Sequence, residues 1–384
     1  MRVLRFMGCP LNQFASLERF ILSQAVEMNR RGHVMEVAWD GVRNPDAARQ
    51  AQEFAPGVKI HLDLPDPTPP RAPMLRLKYF FRVLPLIRRG GYDIVHLYFG
   101  PSARIINNMR RLLGKTKIVR TMGTLPDPRT SNPLAMKLKA WYWRFNLRNV
   151  DAIICVSTPV LDAFAQRGIP RSKMVVVHNV TDTEFFKRTA DRPSGRDWLG
   201  LTFVGRHHEV KRIPVLLEGM RILREQHGVS DVVLTLVGDG ELRQEHEKMV
   251  EQMGLQKCVR ILGQRKDVPR ILNEETDAYV TASRLEGLPC AVLEAMATEL
   301  PIIASDIGEH KEVVEDGENG LLFRLNDPAD FAEKVLALRA LPDRGREIGR
   351  RNREKIVRDF SVQSWIEKEL AVYERVLSAS HPGA

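Results

Sequence analysis

Short apolar runs alternate with stretches of helical period along the first half of the chain. Residues 3–7, 34–39, 58–62, 94–98, 117–121, 152–156 and 174–177 read as buried strands, and 16–31 as a helix that stops at Gly32. The alternation pauses at 191–200, where Arg192-Pro193-Ser194-Gly195-Arg196 has linker composition. It restarts with 201–204, 232–237, 259–262, 278–281 and 302–304, and 321–323 reads as a short edge strand. Three helical stretches, 328–340, 344–359 and 361–377, close the pattern. Strand, helix, strand at this spacing predicts parallel βαβ units. The expected fold class is α/β, with two Rossmann-like domains facing across a cleft: 1–190, 191–360, and a terminal helix at 361–384 that returns to the first domain.

Charge changes the picture because it is unevenly spread. The net charge of the 384 residues is +10. Residues 1–150 hold 25 Lys+Arg against 10 Asp+Glu, whereas 201–384 hold 26 against 32. That asymmetry argues against a nucleic-acid binder and for an anionic partner of the first half alone. No apolar run reaches the ~18 residues of a membrane span. The start, Met1-Arg2-Val3-Leu4-Arg5-Phe6, is too short and charged for a signal peptide, so the expected location is cytoplasmic. Cys9, Cys155, Cys258 and Cys290 lack metal or redox spacing, and no metal site is expected. The absence of GxGxxG, P-loop and GxSxG patterns argues against dehydrogenase, P-loop kinase and serine hydrolase chemistry.

Candidate chemistry lies in the second half. Phe203-Val204-Gly205-Arg206 ends a strand and Lys211 follows. A guanidinium fork and an ammonium at a cleft mouth suit a diphosphate, although a solvated basic loop has the same composition. Ser283-Arg284-Leu285-Glu286-Gly287-Leu288-Pro289 then leads from a strand into a helix that carries Glu294. Free N–H groups at that helix start favour an anion, and two carboxylates can accept hydrogen bonds from sugar hydroxyls.

This combination resembles the retaining nucleotide-sugar glycosyltransferases of family four, which have the GT-B fold. Further similar segments are Val177-His178-Asn179-Val180-Thr181-Asp182, Val237-Gly238-Asp239-Gly240, Ile261-Leu262-Gly263, Gly308 after Pro301-Ile302-Ile303-Ala304-Ser305-Asp306, and the terminal Phe360-Ser361, Trp365 and Tyr373. The resemblance implies sugar transfer from a nucleoside diphosphate sugar with anomeric retention, without metal or other cofactor. It also implies roles for individual residues. Arg206 and Lys211 would hold the diphosphate, and Glu286 would contact the donor sugar beside the Gly287 and Leu288 backbone. Glu294 would accept from the ribose, Arg265 and Val268 would border the base, and Gly205, Gly238 and Gly263 would line the nucleotide-sugar site, ordinary strand-end turns being the other reading of these glycines.

The first domain departs from that pattern. The loop Gly8-Cys9-Pro10-Leu11-Asn12-Gln13-Phe14-Ala15-Ser16 lacks the family's Gly-Gly pair. Tyr98 and Met122 stand where the family often has histidine. Asn12, His96, Tyr98, Arg120, Gly123 and Thr124 are therefore the acceptor-side candidates, with a core role the safer reading of His96. Residues 132–150 read as a helix with two apolar stripes, Leu134/Leu138/Trp141/Phe145 and Met136/Trp143/Leu147; one should pack on the sheet, leaving the other for protein or for an anionic membrane surface. Residues 74–89 form a similar run, expected to be interrupted at Pro85. The expected partners are a nucleotide-sugar donor, a glycan or lipid-linked acceptor, and the membrane surface. A GT-B nucleotide-sugar epimerase and a non-catalytic membrane-associated protein remain as alternatives.

Overall fold

A computed structural model describes residues 1–14, 16–66, 73–98, 100–125, 133–189, 197–341, 343 and 345–379. Contacts divide the chain into two units, Met1–Asn179 together with Val362 onward, and Val180–Ser361. The expected break at 190–191 and the linker 192–196 lie outside the described residues. The segment just before them is tied to the second unit: Arg353 Nη1 donates to the carbonyls of Thr183 (2.8 Å) and Phe186 (2.9 Å), and Thr189 N to Asn273 Oδ1 (3.1 Å).

In the first unit Arg2–Phe6 (β1), Val34–Ala38 (β2), Ile60–His61 (β3), Ile94–Leu97 (β4), Lys117–Met122 (β5), Ala152–Cys155 (β6) and Met174–Val176 (β7) form one parallel sheet. Its order is β3-β2-β1-β4-β5-β6-β7. In the second, Leu199–Val204 (β8), Val232–Val237 (β9), Val259–Gly263 (β10), Ala278–Thr281 (β11), Ile302–Ser305 (β12) and Gly320–Phe323 (β13) form another, ordered β10-β9-β8-β11-β12-β13 and also parallel. The central strands are buried on both faces and mostly apolar, with Arg5, His96, Arg120 and Thr121 as buried polar exceptions in the first sheet. In each sheet the strand order reverses beside the first strand, between β1 and β4 and between β8 and β11. Such switch points are where α/β sheets receive ligands, beyond the strand C-termini.

The terminal helix, Val362–Ser378, packs on helix Ser16–Arg30 and on β5. Trp365 meets Phe20 edge-on at 5.8 Å. Beneath it lies a buried polar cluster. Arg5 Nη2 is 2.5 Å from Glu369 Oε2 and 3.3 Å from the Tyr373 hydroxyl, and Arg5 Nη1 donates to Gln24 Oε1. Burial alone would lower the Arg5 pKa; the Glu369 carboxylate, Tyr98 and Tyr373 together more than offset this and raise it.

Two helices of the first unit refine the sequence reading. Pro73–Gly90 runs through Pro85 without a break, contrary to expectation. Tyr79, Val83 and Ile87 are all buried on one face, so packing on both sides of the proline holds the helix together. In helix Pro133–Leu147 the inward stripe is the one with Trp143 and Leu147, Trp143 meeting Phe164 at 5.1 Å; Met136, earlier on that stripe, is exposed. Leu134, Leu138, Trp141 and Phe145 are exposed, flanked by exposed Lys137, Arg144 and Arg148. Among the described residues no helix is long and apolar enough to cross a membrane.

Candidate active site

At the C-terminal ends of β8, β9 and β10 the backbone closes on itself. Gly205 N donates to Val237 O (2.9 Å) and Gly238 N to Gly263 O (2.8 Å). Gly238 has φ +136°, and a Cβ there would lie 1.9 Å from Gly205 O, so no other residue fits. This close approach explains Gly238 by packing alone. The loop after Gly205 is then pinned: His207 N donates to Asp239 O, Leu242 N to His207 O, and the buried His207 and His246 rings meet Nδ1 to Nδ1 at 2.9 Å. Burial lowers both histidine pKa values, that of His246 to about 4, so the pair is neutral at pH 7. Arg206 projects from this loop and is exposed.

Lys211 ends a single 3-10 turn, Glu209–Lys211, capped by His208. Arg284 fastens that turn to the loop after β11: its backbone N donates to Val210 O (2.9 Å) and its Nη2 to Glu209 Oε1 (3.0 Å). The result is a half-buried ion pair, Lys211 Nζ to Glu286 Oε1 at 2.6 Å. This is a short, charge-assisted bond. Glu286 precedes helix Cys290–Ala297, and Glu294 is buried within that helix. Pro289 occupies the cap position, one residue before the expected first turn, and offers no side-chain cap. Gly287 and Leu288 are buried at the turn. Tyr279 on β11 joins these parts: its hydroxyl donates to Val204 O (3.2 Å), and burial, then the charges of Glu286 and Glu294, raise its pKa far above the usual value.

Glu309 and His310, in the short helix Gly308–Lys311, belong to the same neighbourhood. The Glu309 carboxylate accepts from the Glu286 backbone N–H; burial raises its pKa, and the Glu286 charge adds to the rise. The buried His310 ring meets Ser305 O at 2.7 Å, leaving its Nε2 without a partner. The sequence reading noted only Gly308 here. The available signal was a Glu-His pair directly after the glycine that follows β12.

Other expected residues are placed differently. Arg265 is exposed and held by Asp267 (2.8 and 2.9 Å), an ion pair that needs no ligand, and Val268 begins helix Val268–Glu274. In the first unit His96 is a satisfied core residue: its Nδ1 meets the Tyr373 hydroxyl (2.6 Å) and its Nε2 meets Thr121 Oγ1 (2.7 Å). Tyr98 is buried against it, with ring centroids 5.0 Å apart. Arg120 does not join that group. It points to the opposite face of β5 from Thr121, toward helix Pro133–Leu147. Asn12 and Thr124 are exposed and Gly123 is half-buried.

The description "Glycosyl transferases group 1" matches residues 199–340, and "Glycosyl transferase 4-like domain" matches 17–180. The chain is similar to UDP-Gal:alpha-D-GlcNAc-diphosphoundecaprenol alpha-1,3-galactosyltransferase of Escherichia coli, 28% identical over 308 residues, covering 77% of this chain and 79% of that protein. It is similar also to N-acetyl-alpha-D-glucosaminyl L-malate synthase of Bacillus anthracis, 25% identical and covering 76% of each. In structure it resembles Anabaena HepE solved with UDP and glucose, at TM-score 0.81 and 16% identity over 97% of this chain and 99% of that one. Sucrose-phosphate synthase of Thermosynechococcus elongatus gives TM-score 0.81 at 18% identity, over 99% and 100%.

Proposed function

The chain belongs to the group 1 glycosyltransferases and has the GT-B fold; on that premise we propose that it moves a sugar from a UDP-sugar to a lipid-linked or glycan acceptor, with retention and without a metal. The observation that carries this reading is the Lys211–Glu286 pair at the β8/β11 switch point. An arriving diphosphate competes for the Lys211 ammonium. Its capture by phosphate frees Glu286 to accept from a hydroxyl of the donor sugar. Arg206, exposed at the same strand end, supplies the second cation. As the anomeric carbon–oxygen bond breaks, its electron pair passes to the diphosphate, and the two cations stabilise that charge. The acceptor hydroxyl forms the new bond and passes its proton to the departing diphosphate oxygen. Glu294 holds the ribose hydroxyls, while Arg265 and Val268 border the base. The first unit, carrying Asn12, Gly123 and Thr124, receives the acceptor. The E. coli relative uses UDP-Gal and a diphosphoundecaprenol acceptor, which supports uridine and a lipid diphosphate here. The deciding experiment offers UDP-sugars and a prenyl-diphosphate-linked sugar in the presence of a chelator. NMR should show an α-linked product and released UDP; a β-linked product, or no turnover until a divalent cation is added, would refute the respective claim.

The same reading places the protein at the inner membrane surface. The exposed Leu134, Leu138, Trp141 and Phe145 lie among Lys137, Arg144 and Arg148, an apolar stripe rimmed by cations. Flotation with phosphatidylglycerol vesicles should recover the protein at low salt and lose it in the Trp141→Glu/Leu138→Glu double variant. Equal recovery with neutral vesicles would count against the electrostatic part.

A further inference from the structure

Arg120 is the buried charge that the donor chemistry leaves unexplained. It is 6% exposed on β5, and its Nε and Nη1 have no hydrogen-bond partner. The contrast with Arg5 is direct, since Arg5 is equally enclosed but meets the Glu369 carboxylate at 2.5 Å. A buried guanidinium with two unpaired nitrogens carries a desolvation cost that the Trp143 ring face repays only in part. Deprotonation does not relieve it: burial, together with the Arg104 charge, lowers its pKa only to about 10.

The surroundings increase the positive charge. Arg104, on helix Gly100–Asn108, is exposed, with its guanidinium 5.5 Å from the Tyr142 ring centre. The Arg120 guanidinium is 5.8 Å from the adjacent Trp143 ring, and the two rings meet nearly perpendicular at 5.5 Å. One aromatic pair thus carries two guanidinium groups, one buried and one open to solvent, and the half-buried Tyr142 lies close enough to act electrostatically on Arg120. The two helices are fastened to each other, Asn107 Nδ2 donating to Asn146 O (3.0 Å) and Asn149 Nδ2 to Asn107 O (3.1 Å). Residues 101–150 contain 11 Lys+Arg and one acid, Asp127, which lies outside the described residues.

We propose that Arg120, Arg104 and the Tyr142 hydroxyl form a second phosphate site, in the first unit, that takes the diphosphate of the lipid-linked acceptor. The inference rests on the acceptor class proposed above and adds where its charged group is held. Arg120 would give a planar fork to one phosphate, and Arg104 would guide and close over it from the solvent side. The site sits under the helix whose outer stripe carries Trp141 and Phe145. A lipid held at that surface would therefore present its diphosphate close to these guanidinium groups.

The test measures melting temperature with inorganic diphosphate in a Lys211→Ala background that also carries Arg206→Ala, so that both donor-site cations are gone. That protein should still be stabilised by millimolar diphosphate, and adding Arg120→Met should abolish the stabilisation. Without anions, Arg120→Met should melt at the same temperature as its parent or higher, because it removes an incompletely compensated charge. A fall would mark Arg120 as a structural cation and overturn the proposal. In the otherwise native enzyme, Arg120→Met should raise KM for a prenyl-diphosphate-linked sugar about tenfold or more, with Arg120→Lys falling between. Stabilisation by UDP should be unchanged, so loss of this site leaves the donor reading intact. If diphosphate stabilises the Arg206→Ala/Lys211→Ala protein only after Asp127→Asn is added, Asp127 is the partner of Arg120 and the proposal fails. It fails equally if Arg120→Met alters only binding to phosphatidylglycerol vesicles, since the ligand is then a bulk lipid headgroup.

Discussion

Lys211→Ala should lower kcat by roughly 10²–10³-fold, the usual effect of removing one fixed group from a developing charge. The expectation follows from placement. Lys211 Nζ lies 2.6 Å from Glu286, and the turn that carries it is held by Arg284 through backbone and side chain. The ammonium is therefore fixed before substrate arrives, which is what makes such a group effective in the transition state. Removing it leaves Glu286 unpaired but beside a mouth that water reaches, so the cost in stability should stay near 1 kcal/mol. Steady-state kinetics and a melting curve on one preparation check both halves. Activity within threefold of the parent would dissolve the site assignment. A collapse of the fold would show the pair to be structural instead.

The second large effect concerns stability. Glu369→Ala should destabilise the first unit by about 3–5 kcal/mol, because it strands a buried guanidinium. Both side chains of the Arg5–Glu369 pair are fully enclosed, and Tyr373 and Gln24 accept further hydrogen bonds from Arg5, whose Nε alone has no partner. For a domain stable by ~5–15 kcal/mol that is a large fraction. The double variant Arg5→Met/Glu369→Leu should recover most of the loss, since replacing a buried pair by apolar residues of similar volume is often neutral. Urea unfolding of the three proteins measures each term. A loss under 1 kcal/mol in Glu369→Ala would mean that water or a rearranged Gln24 solvates Arg5.

Much of this was readable before any coordinates. Strands such as 232–237 and 278–281 announce themselves because a strand covered on both faces must be mostly apolar. The Glu286-Gly287-Leu288-Pro289 turn announces itself through its punctuation. What stayed hidden depends on which elements become neighbours. Lys211 and Glu286 are 75 residues apart, and only the adjacency of β8 and β11 makes them a pair. The core role favoured for His96 could be read from the sequence, but not its partners, Thr121 and, 277 residues away, Tyr373. Arg120 and Thr121 differ by one step along a strand and so face opposite sides of the sheet, a distinction with no trace in composition. The outward stripe of helix Pro133–Leu147 was visible as apolar, but not as outward, because both stripes have similar character.

The return of helix Val362–Ser378 to the first unit has a consequence for synthesis. The second unit is wholly contained between two segments of the first. A ribosome working at roughly 5–20 residues per second makes Arg5 364 residues before Glu369. A first unit that closed in that interval would enclose the Arg5 cation without its counter-charge and leave uncovered the faces of β5 and helix Ser16–Arg30 on which helix Val362–Ser378 packs. We expect the inserted unit to mature first, and chaperone dependence to concentrate in that interval.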